Sequence, residues 1–546
     1  MSAVSAPVRR WLGLIAIALG VALIVVDTTI VNVITPSVIE DIGIDSSQAQ
    51  WIQESYAIVF AALLLLVGRV SDLLGARAVF VWGVVGFGVT SLLAGLAPNG
   101  ETLILARFLQ GATAALILPT SLALLNRMFT GKARGHAFAI WGSTIGAATA
   151  LGPVIGGWLS ENLSWRWAFG INIPLTVVIL VLSAFFLVPT PRTPGRIDVV
   201  SAVLSILGLG LLAFGLIEGR TYGWIVSERA FELPGLTWGS GASPAFVALV
   251  LAAVLLAVFV ARQVVSSRST STREPFMNTN LFSIASFRNG NIATTIIGLG
   301  EYGIIAVIPL WLVFTMGYTA LDAGIALVPI AIGSFVASGI SFPLMAKISP
   351  LGMVRIGLVL EAAGLAGLGA VAAFTDASWW HISLVLFLYG IGVGFATSQV
   401  TNVVLADVPE DEDGQSSGIQ STFRQLGSAL GIAALTTVFF SALSSDLRAR
   451  LTDAGASADQ VVAWGDAVTD SAGAAIAPLA ADPATAFVAD AAREAMTHGL
   501  ALGSYLAAGF LVLGVVATAL IPNTQKARPE PAADPVAPEE AGRVRP

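Results

Sequence analysis

Leu12 to Pro36 reads LGLIAIALGVALIVVDTTIVNVITP, an apolar run of about two dozen residues with one formal charge, Asp27, sunk inside it. As a helix, that length crosses a bilayer. A lone carboxylate at such depth costs about 2.5–3.5 kcal/mol on insertion scales, so it persists only where it faces a protein interior or a water-filled path. Asp27 is therefore expected to be a working residue, the alternative being a structural carboxylate satisfied by a neighbouring helix.

The same pattern recurs along the chain. Beyond the first run at 12–35, apolar stretches of spanning length lie near 49–69, 78–97, 102–125, 136–159, 166–188, 198–217, 244–264, 288–315, 321–341, 352–373, 380–405, 417–440 and 498–521. Fourteen spans predict an all-α polytopic membrane protein. Composition agrees: 56% of the 546 residues are hydrophobic and 11% charged, against about 25% charged in soluble domains. Without cysteine there are no disulfides, thiolate metal sites or thiol nucleophiles, and His136, His381 and His498 are too scattered to make a ligand cluster. No metal or other cofactor is expected. No Walker-type GxxxxGK, GxSxG elbow or HExxH occurs, which weakens an ATPase or hydrolase reading, and no enzyme activity is expected. The net charge of −7 does not point to nucleic acid, because charge in such a chain is sorted by side of the membrane.

Arg9 and Arg10 precede the first run as they would in a signal peptide. The run is too long for that role, lacks a small-x-small exit and leads into another apolar segment, so an uncleaved helix starting in the cytoplasm is expected. An even number of spans returns the C-terminus to the cytoplasm. Of the 27 Lys and Arg residues, about 19 then fall inside and about 6 outside. Arg127, Lys132, Arg134, Arg262, Arg268, Arg273 and Arg288 carry most of the bias, against an acidic inside loop from Asp407 to Asp413.

The second span begins Trp51-Ile-Gln-Glu54 and ends Gly68-Arg-Val-Ser-Asp72-Leu-Leu-Gly75-Ala-Arg77. Glu54 and Asp72 are separated by five helical turns, about 27 Å, so they share a face with one near each membrane surface. Glu54 reads either as a second acid lining the cavity of Asp27 or as an interfacial carboxylate wetted from outside. Gly68 and Gly75 permit close approach or positive φ, and Asp72 can accept charge-assisted bonds from Arg77, Arg127 or Arg134, forming a conformational latch. In the fourth span Arg107 lies about 9 Å from the outer end and Asp27 about 12 Å, so the two can pair. The pair keeps the carboxylate charged, and separating it loads a proton. A purely structural ion pair is the alternative. In the fifth span, Gly142, Gly146, Gly152, Gly156 and Gly157 make flat faces for close helix packing, and Pro153 frees a carbonyl and supplies a hinge.

These motifs carry a family resemblance. GRVSDLLGAR resembles the cytoplasmic loop signature of the major facilitator superfamily, with Ala76 where a first basic residue often stands. Arg107-Phe-Leu-Gln110-Gly111 is similar to its arginine signature, and that resemblance implies a part in proton coupling. Gly152-Pro153-Val-Ile-Gly156-Gly157 resembles the motif characteristic of its exporters, followed as in them by Ser164-Trp-Arg-Trp-Ala-Phe169. Together with VVDTTIVNVITP and WIQESYAIVFAALLLL, the fourteen-helix plan resembles the fourteen-span drug:proton antiporter family. The implied layout is a cytoplasmic N-terminus at 1–11 and a six-helix bundle at 12–188. Two inserted helices follow at 189–287, then a second bundle at 288–521 with an extracytoplasmic loop at 443–495, and a disordered cytoplasmic tail at 522–546. Ala346 to Arg355 is a worn echo of the Gly68 loop, as two parallel repeats would leave. The implied location is a bacterial inner membrane.

In the second half Glu301 and Glu361 are each the only acid of their span. Tyr302, Trp311 and Phe314 near Glu301 suit a greasy cation site, though membrane aromatics also face lipid or core. Gln399 and Asn402 can bond a substrate or merely join helices. Arg424 with Gly427 and Gly431 reads as a structural helix start. From Ser444 to Glu494, Leu447, Leu451, Val461, Val462 and Trp464 allow short amphipathic helices lying on the outer surface. With Asp27, Glu54, Glu301 and Glu361 opposed by one clear base, Arg107, the cavity is expected to favour cationic or neutral amphiphiles, with protons as the alternative occupant. Each charge moved inward gains about 2.3 kcal/mol per 100 mV, so exchange needs no ATP. The expected function is a monomeric proton-coupled antiporter in the lipid bilayer that exports small amphiphilic, cationic compounds. Proton coupling falls to Asp27, Glu54, Arg107 and Glu301, and substrate binding to Asp27, Glu54, Glu301, Glu361, Tyr302, Gln399 and Asn402. Two alternatives stand: a dedicated exporter of an endogenous lipid, siderophore or metabolite, and a non-transporting receptor or scaffold.

Overall fold

In a bilayer each backbone polar group must be satisfied within its own segment, so apolar runs of this length become helices. The computed structural model describes residues 6–521 apart from 45, 234–235, 269–274, 345–346 and 374–377. The tail from 522, expected to be disordered, lies outside the described residues.

The first bundle comprises α1 (Ala6–Ile42), α2 (Ser46–Leu74), α3 (Ala76–Gly95), α4 (Gly100–Met128), α5 (Gly131–Asn162) and a sixth span broken into α6 (Arg166–Gly170) and α7 (Asn172–Phe186). The inserted helices are α8 (Val199–Tyr222) and α9 (Pro244–Arg268), joined through a short hairpin, β1 (Phe231–Leu233) and β2 (Leu236–Trp238). The second bundle comprises α10 (Ala285–Phe314), α11 (Ala320–Leu344), α12 (Pro350–Ala372), α13 (Trp379–Val404), α14 (Asp413–Asp453) and α17 (Ala486–Thr518), with α15 (Ala458–Asp470) and α16 (Ile476–Ala481) between the last two. Among the described residues, 14 spans are long and apolar enough to cross a membrane. They coincide in order with the fourteen expected from the sequence.

Local chemistry sets the helix ends. Asn99 caps α4 by accepting the Thr102 N–H at 3.0 Å, Asp198 caps α8, and Ser349 precedes Pro350 at the start of α12. Gly75 turns the chain between α2 and α3 at φ 88°, a conformation that strains other residues. Within the first bundle α1 packs on α5 and α7, and α4 on α2 and α3; within the second, α13 packs on α11 and α12, and α10 on α14 and α17. The bundles meet where α5 crosses α11 and α13 and where α2 and α4 cross α14. The inserted helices pack on each other, and α8 leans on both α2 and α14.

The segment after Ser444 follows expectation in part: Val461, Val462 and Trp464 lie on the short helix α15, whereas Leu447 and Leu451 continue α14. Helix α14 runs 41 residues, about 60 Å against a hydrocarbon core of about 30 Å, so it projects well beyond a membrane. Leu447, Leu451 and Val461 are buried there, and Trp464 meets the Phe487 ring edge-on at 5.6 Å. Only Val462 of the apolar residues singled out is exposed. Apart from Val462, the apolar residues of this helical cap are thus covered within the protein, by α14 and α17.

Candidate functional site

Asp27, on α1, is fully buried. Its Oδ2 accepts Nη1 of Arg107 at 2.5 Å, and its Oδ1 accepts Nε2 of Gln110 and Nδ2 of Asn172, each at 2.8 Å. Arg107 is 1% exposed; its Nε donates to the Ile52 carbonyl at 3.1 Å and its guanidinium lies 4.3 Å from the centre of the Tyr56 ring. Ser91 accepts from both Gln110 and Asn172, at 2.9 and 3.2 Å. A buried ion pair repays its desolvation only when the remaining lone pairs and protons are bonded, and this network bonds them. The depth matching of Asp27 and Arg107 is realised, and the Asp27 side chain points to the bundle interior. Gln110 and Asn172 were not assigned roles from sequence. Gln110 lies three residues beyond Arg107 and so on its face, and Asn172 is a lone amide in an apolar run.

Glu54 does not join that site. Helix α2 turns Ile52 and Tyr56 toward Arg107, while Gln50 and Glu54, one turn apart, face α8. There Gln50 Nε2 donates to Glu54 Oε1 at 2.8 Å and to Glu218 Oε2 at 3.0 Å. Glu218 was missed because the apolar window of the seventh span stops one residue short of it.

A second cluster lies in the other bundle. Glu301, on α10, accepts Oγ1 of Thr397 at 2.9 Å, and Tyr389 donates to the Glu301 carbonyl at 3.0 Å. Arg424 donates to the Tyr302 hydroxyl through Nη2 at 2.6 Å and Nε at 3.1 Å, and stands 5.7 Å from the ring centres of both Tyr302 and Trp141. Glu361 is fully buried, with neither carboxyl oxygen hydrogen-bonded, and interacts electrostatically with Glu301 and Arg424. Arg424 is therefore the base of this cluster, which corrects both its reading as a helix start and the expectation that Arg107 stands alone against the acids. Trp311 and Phe314, expected to suit a cation near Glu301, have partners outside this cluster: Trp311 Nε1 donates to Thr497 at 3.0 Å, and Phe314 packs beside Gly473 of the cap.

The Asp72 face of the molecule is latched across the bundles. Asp72 accepts the backbone N–H groups of Gly414 at 2.8 Å and Gln415 at 2.9 Å, buried amides that the start of a helix leaves without an intrahelical partner. The arginines expected on Asp72 direct the hydrogen bonds described next to other groups, while the Arg127 charge, with that of Arg69, still acts on the Asp72 carboxyl. Arg77 donates to the Ser183 and Ala184 carbonyls at 3.3 and 3.2 Å, Arg127 to Asp413 at 3.1 Å, and Arg134 to the Asn402 carbonyl at 3.1 Å. Gly68 is required by close approach, since a Cβ there would lie 2.9 Å from the Gly414 carbonyl oxygen and 3.0 Å from Gly418 Cα. Gln399 donates to the Gly135 carbonyl at 3.1 Å, and Asn402 to Gln399 at 3.2 Å. The Gln399 amide and the Asn402 carbonyl thus join the bundles on this face, while the Asn402 amide bonds Gln399 within α13.

Helix α5 uses its glycines on two sides. A Cβ on Gly152 or Gly156 would strike Thr29 or Ile30 of α1, and one on Gly146 would strike Ser334 of α11. Gly142 is buried; Pro153 abuts Gly324, and Gly157 faces Leu321, both on α11. The motif thus sits at the crossing of the two bundles. At the opposite face from Asp72, Asp41 binds Arg166 and accepts Nε1 of Trp165 at 2.9 Å; the Arg166 bond holds the Asp41 carboxyl below its ordinary value.

Comparison with known proteins gives the same frame. The chain is 32% identical to the puromycin resistance protein pur8 of Streptomyces alboniger over 83% of its own length and 86% of that protein's. It is 32% identical to the multidrug efflux pump LfrA of Mycolicibacterium smegmatis over 94% of its length and 96% of that protein's. Among solved structures, the human organic anion transporter MFSD10 covers 93% of this chain, and the chain covers 99% of it, at a TM-score of 0.59 and 13% identity, a likeness of fold alone. The profile described as Major Facilitator Superfamily matches residues 17–432. With two bundles of six spans, two inserted helices and a buried acid–arginine pair in the first bundle, the chain belongs to the major facilitator superfamily of multi-pass membrane transporters.

Proposed function

We propose that this protein exports small amphiphilic cations in exchange for protons, with the Asp27–Arg107 pair as the coupling element. The observation that carries the reading is that pair: an acid and a base wholly buried in one bundle, held by side chains from α4 and α7. When the pair is closed the two charges cancel; when it opens, the freed carboxylate is neutralised by a proton. The names of the relatives, a puromycin resistance protein and a multidrug efflux pump, support export of foreign compounds.

Glu301 and Glu361, with Arg424 and Tyr302 beside them, supply the cargo side in the other bundle. A cation entering there relieves two acids that share one base. The latch on the Asp72 face closes one route while the other serves the cargo. The protein works as a monomer in a bacterial plasma membrane with both termini cytoplasmic, and does no chemistry on what it moves. The test is uptake of ethidium by everted vesicles, with and without a proton uncoupler. Wild-type uptake collapses with the uncoupler, and Asp27→Asn and Arg107→Ala show none of the sensitive component. Uptake indifferent to both the uncoupler and the mutations would refute the proposal.

A further inference from the structure

The inserted helices have no part in the exchange scheme above, yet α8 brings an acid into the membrane. Glu218 is fully buried, and its Oε2 accepts from the same Gln50 nitrogen that donates to Glu54 and to Thr221 Oγ1. An amide nitrogen carries two hydrogens, enough for one to each carboxyl group, while the Thr221 hydroxyl can itself donate to Glu218. Two carboxyl oxygens within 3.0 Å of one nitrogen lie no more than about 6 Å apart, and the two carboxyl groups are in hydrogen-bonding contact. The outer oxygens, Glu54 Oε2 and Glu218 Oε1, are buried without a partner. Nearby charges are directed elsewhere: Arg220 stacks 3.7 Å from the Phe440 ring centre on α14, and Arg229 pairs with Asp470 at 3.4 Å. Tyr222, one turn past Glu218, is the remaining titratable neighbour on α8.

Two carboxylates in such contact cannot both stay charged, and neither the Gln50 amide nor the Thr221 hydroxyl places a hydrogen between the two carboxyl groups. A proton on either acid supplies one, the O–H of one carboxyl donating to the oxygen of the other. We infer that Glu54 and Glu218 form a proton-binding site, half on the first bundle and half on the inserted helix α8, separate from the Asp27–Arg107 pair. Helix α2 stands between the two sites, with Ile52 and Tyr56 on Arg107 and Gln50 and Glu54 on Glu218. A rotation of α2 that disturbs one site disturbs the other, which makes the insert part of the coupling apparatus and not a spacer.

The site's existence is independent of the transport scheme; only its role in transport rests on that reading. Two measurements keep these apart. Infrared titration of the purified full-length protein in lipid reads the carboxylic-acid stretching band. Glu54→Gln and Glu218→Gln are each expected to remove about one protonated carboxyl from the wild-type spectrum, and the double variant to remove no more than either alone, because the two acids share one proton. A band unchanged in both single variants, or losses that add in the double, would overturn the inference even if transport is proton-coupled. In proteoliposomes, the proton count per ethidium is read from the membrane potential at which flux reverses. Each single variant and the double are expected to fall short of wild type by the same one proton. Absence of proton-dependent ethidium flux in wild type would instead refute the exchange scheme and leave the infrared test to decide the site. Gel filtration and thermal melting of each variant exclude misfolding as the cause of a lost band.

Discussion

Replacing Asp72 by Asn should release the latch, and the geometry gives the size of the effect. The carboxylate holds two backbone N–H groups at the start of α14, at 2.8 and 2.9 Å. Hydrogen bonds to a charged group are worth about 1.5–3 kcal/mol each. Asn keeps one acceptor oxygen but turns an NH₂ toward the other N–H, so one bond is lost. The negative charge at the helix N-terminus, worth about 0.3–1 kcal/mol, goes with it. The latched arrangement is then weakened by about 3 kcal/mol, which shifts its ratio to the released one by about a hundredfold. Because the chain has no cysteine, spin labels can be placed without background on Lys132→Cys and Asp411→Cys, both exposed and on opposite bundles at this face. Pulsed electron resonance should find a single short distance in the otherwise unaltered protein and a substantial longer population once Asp72→Asn is added. Superimposable distance distributions would show that the Asp72 bonds do not hold the bundles together.

Three further outcomes follow from particular contacts. Gly152→Val should abolish ethidium efflux and lower the melting temperature, because even a Cβ there would stand 1.8 Å from Thr29 Oγ1 and 3.1 Å from the Val26 carbonyl oxygen; drug-resistance plating and a thermal melt read both. Arg424→Ala should cut the initial efflux rate at least tenfold while the protein still folds, since it removes the donor to Tyr302 and the base facing Glu301 and Glu361. Asp198→Ala should lower stability by about 1–2 kcal/mol through loss of the α8 cap. Burial pushes the Asp198 carboxyl up, but its bonds from Ser201 and Arg262 outweigh that and hold it below the ordinary value. Its contribution is thus present above the ordinary Asp value of about 3.9 and is lost as pH falls through the lower folded-state value, so the melting gap between wild type and Asp198→Ala should close in acid.

The spans were legible because nothing else in a protein needs some twenty apolar residues in a row. Asp27 and Arg107 were legible as a pair because both are expensive at that depth and helix rise fixes how deep each lies. The partner of Asp72 was not, since a backbone amide at a helix start carries no side-chain signature. Glu218 fell one residue beyond its apolar window, where hydropathy discounts charge, yet tertiary packing buries it entirely. Gln399 illustrates a choice that sequence leaves open, because an amide that can bind cargo can equally join helices, and here it bonds α13 to α5. The stripe of α15 leaves a similar choice open: an amphipathic face does not say what will cover it, and here Trp464 meets Phe487 of α17.

Whether Asp27 couples protons to cargo is tested most directly by comparing two kinds of flux through one variant. In proteoliposomes, Asp27→Asn should still exchange labelled for unlabelled ethidium across the membrane, since Asn copies the protonated acid, but should fail to concentrate ethidium when a pH gradient is imposed. Wild type should do both. If Asp27→Asn concentrates ethidium against its gradient as wild type does, the buried acid–arginine pair is only structural and the coupling account is wrong.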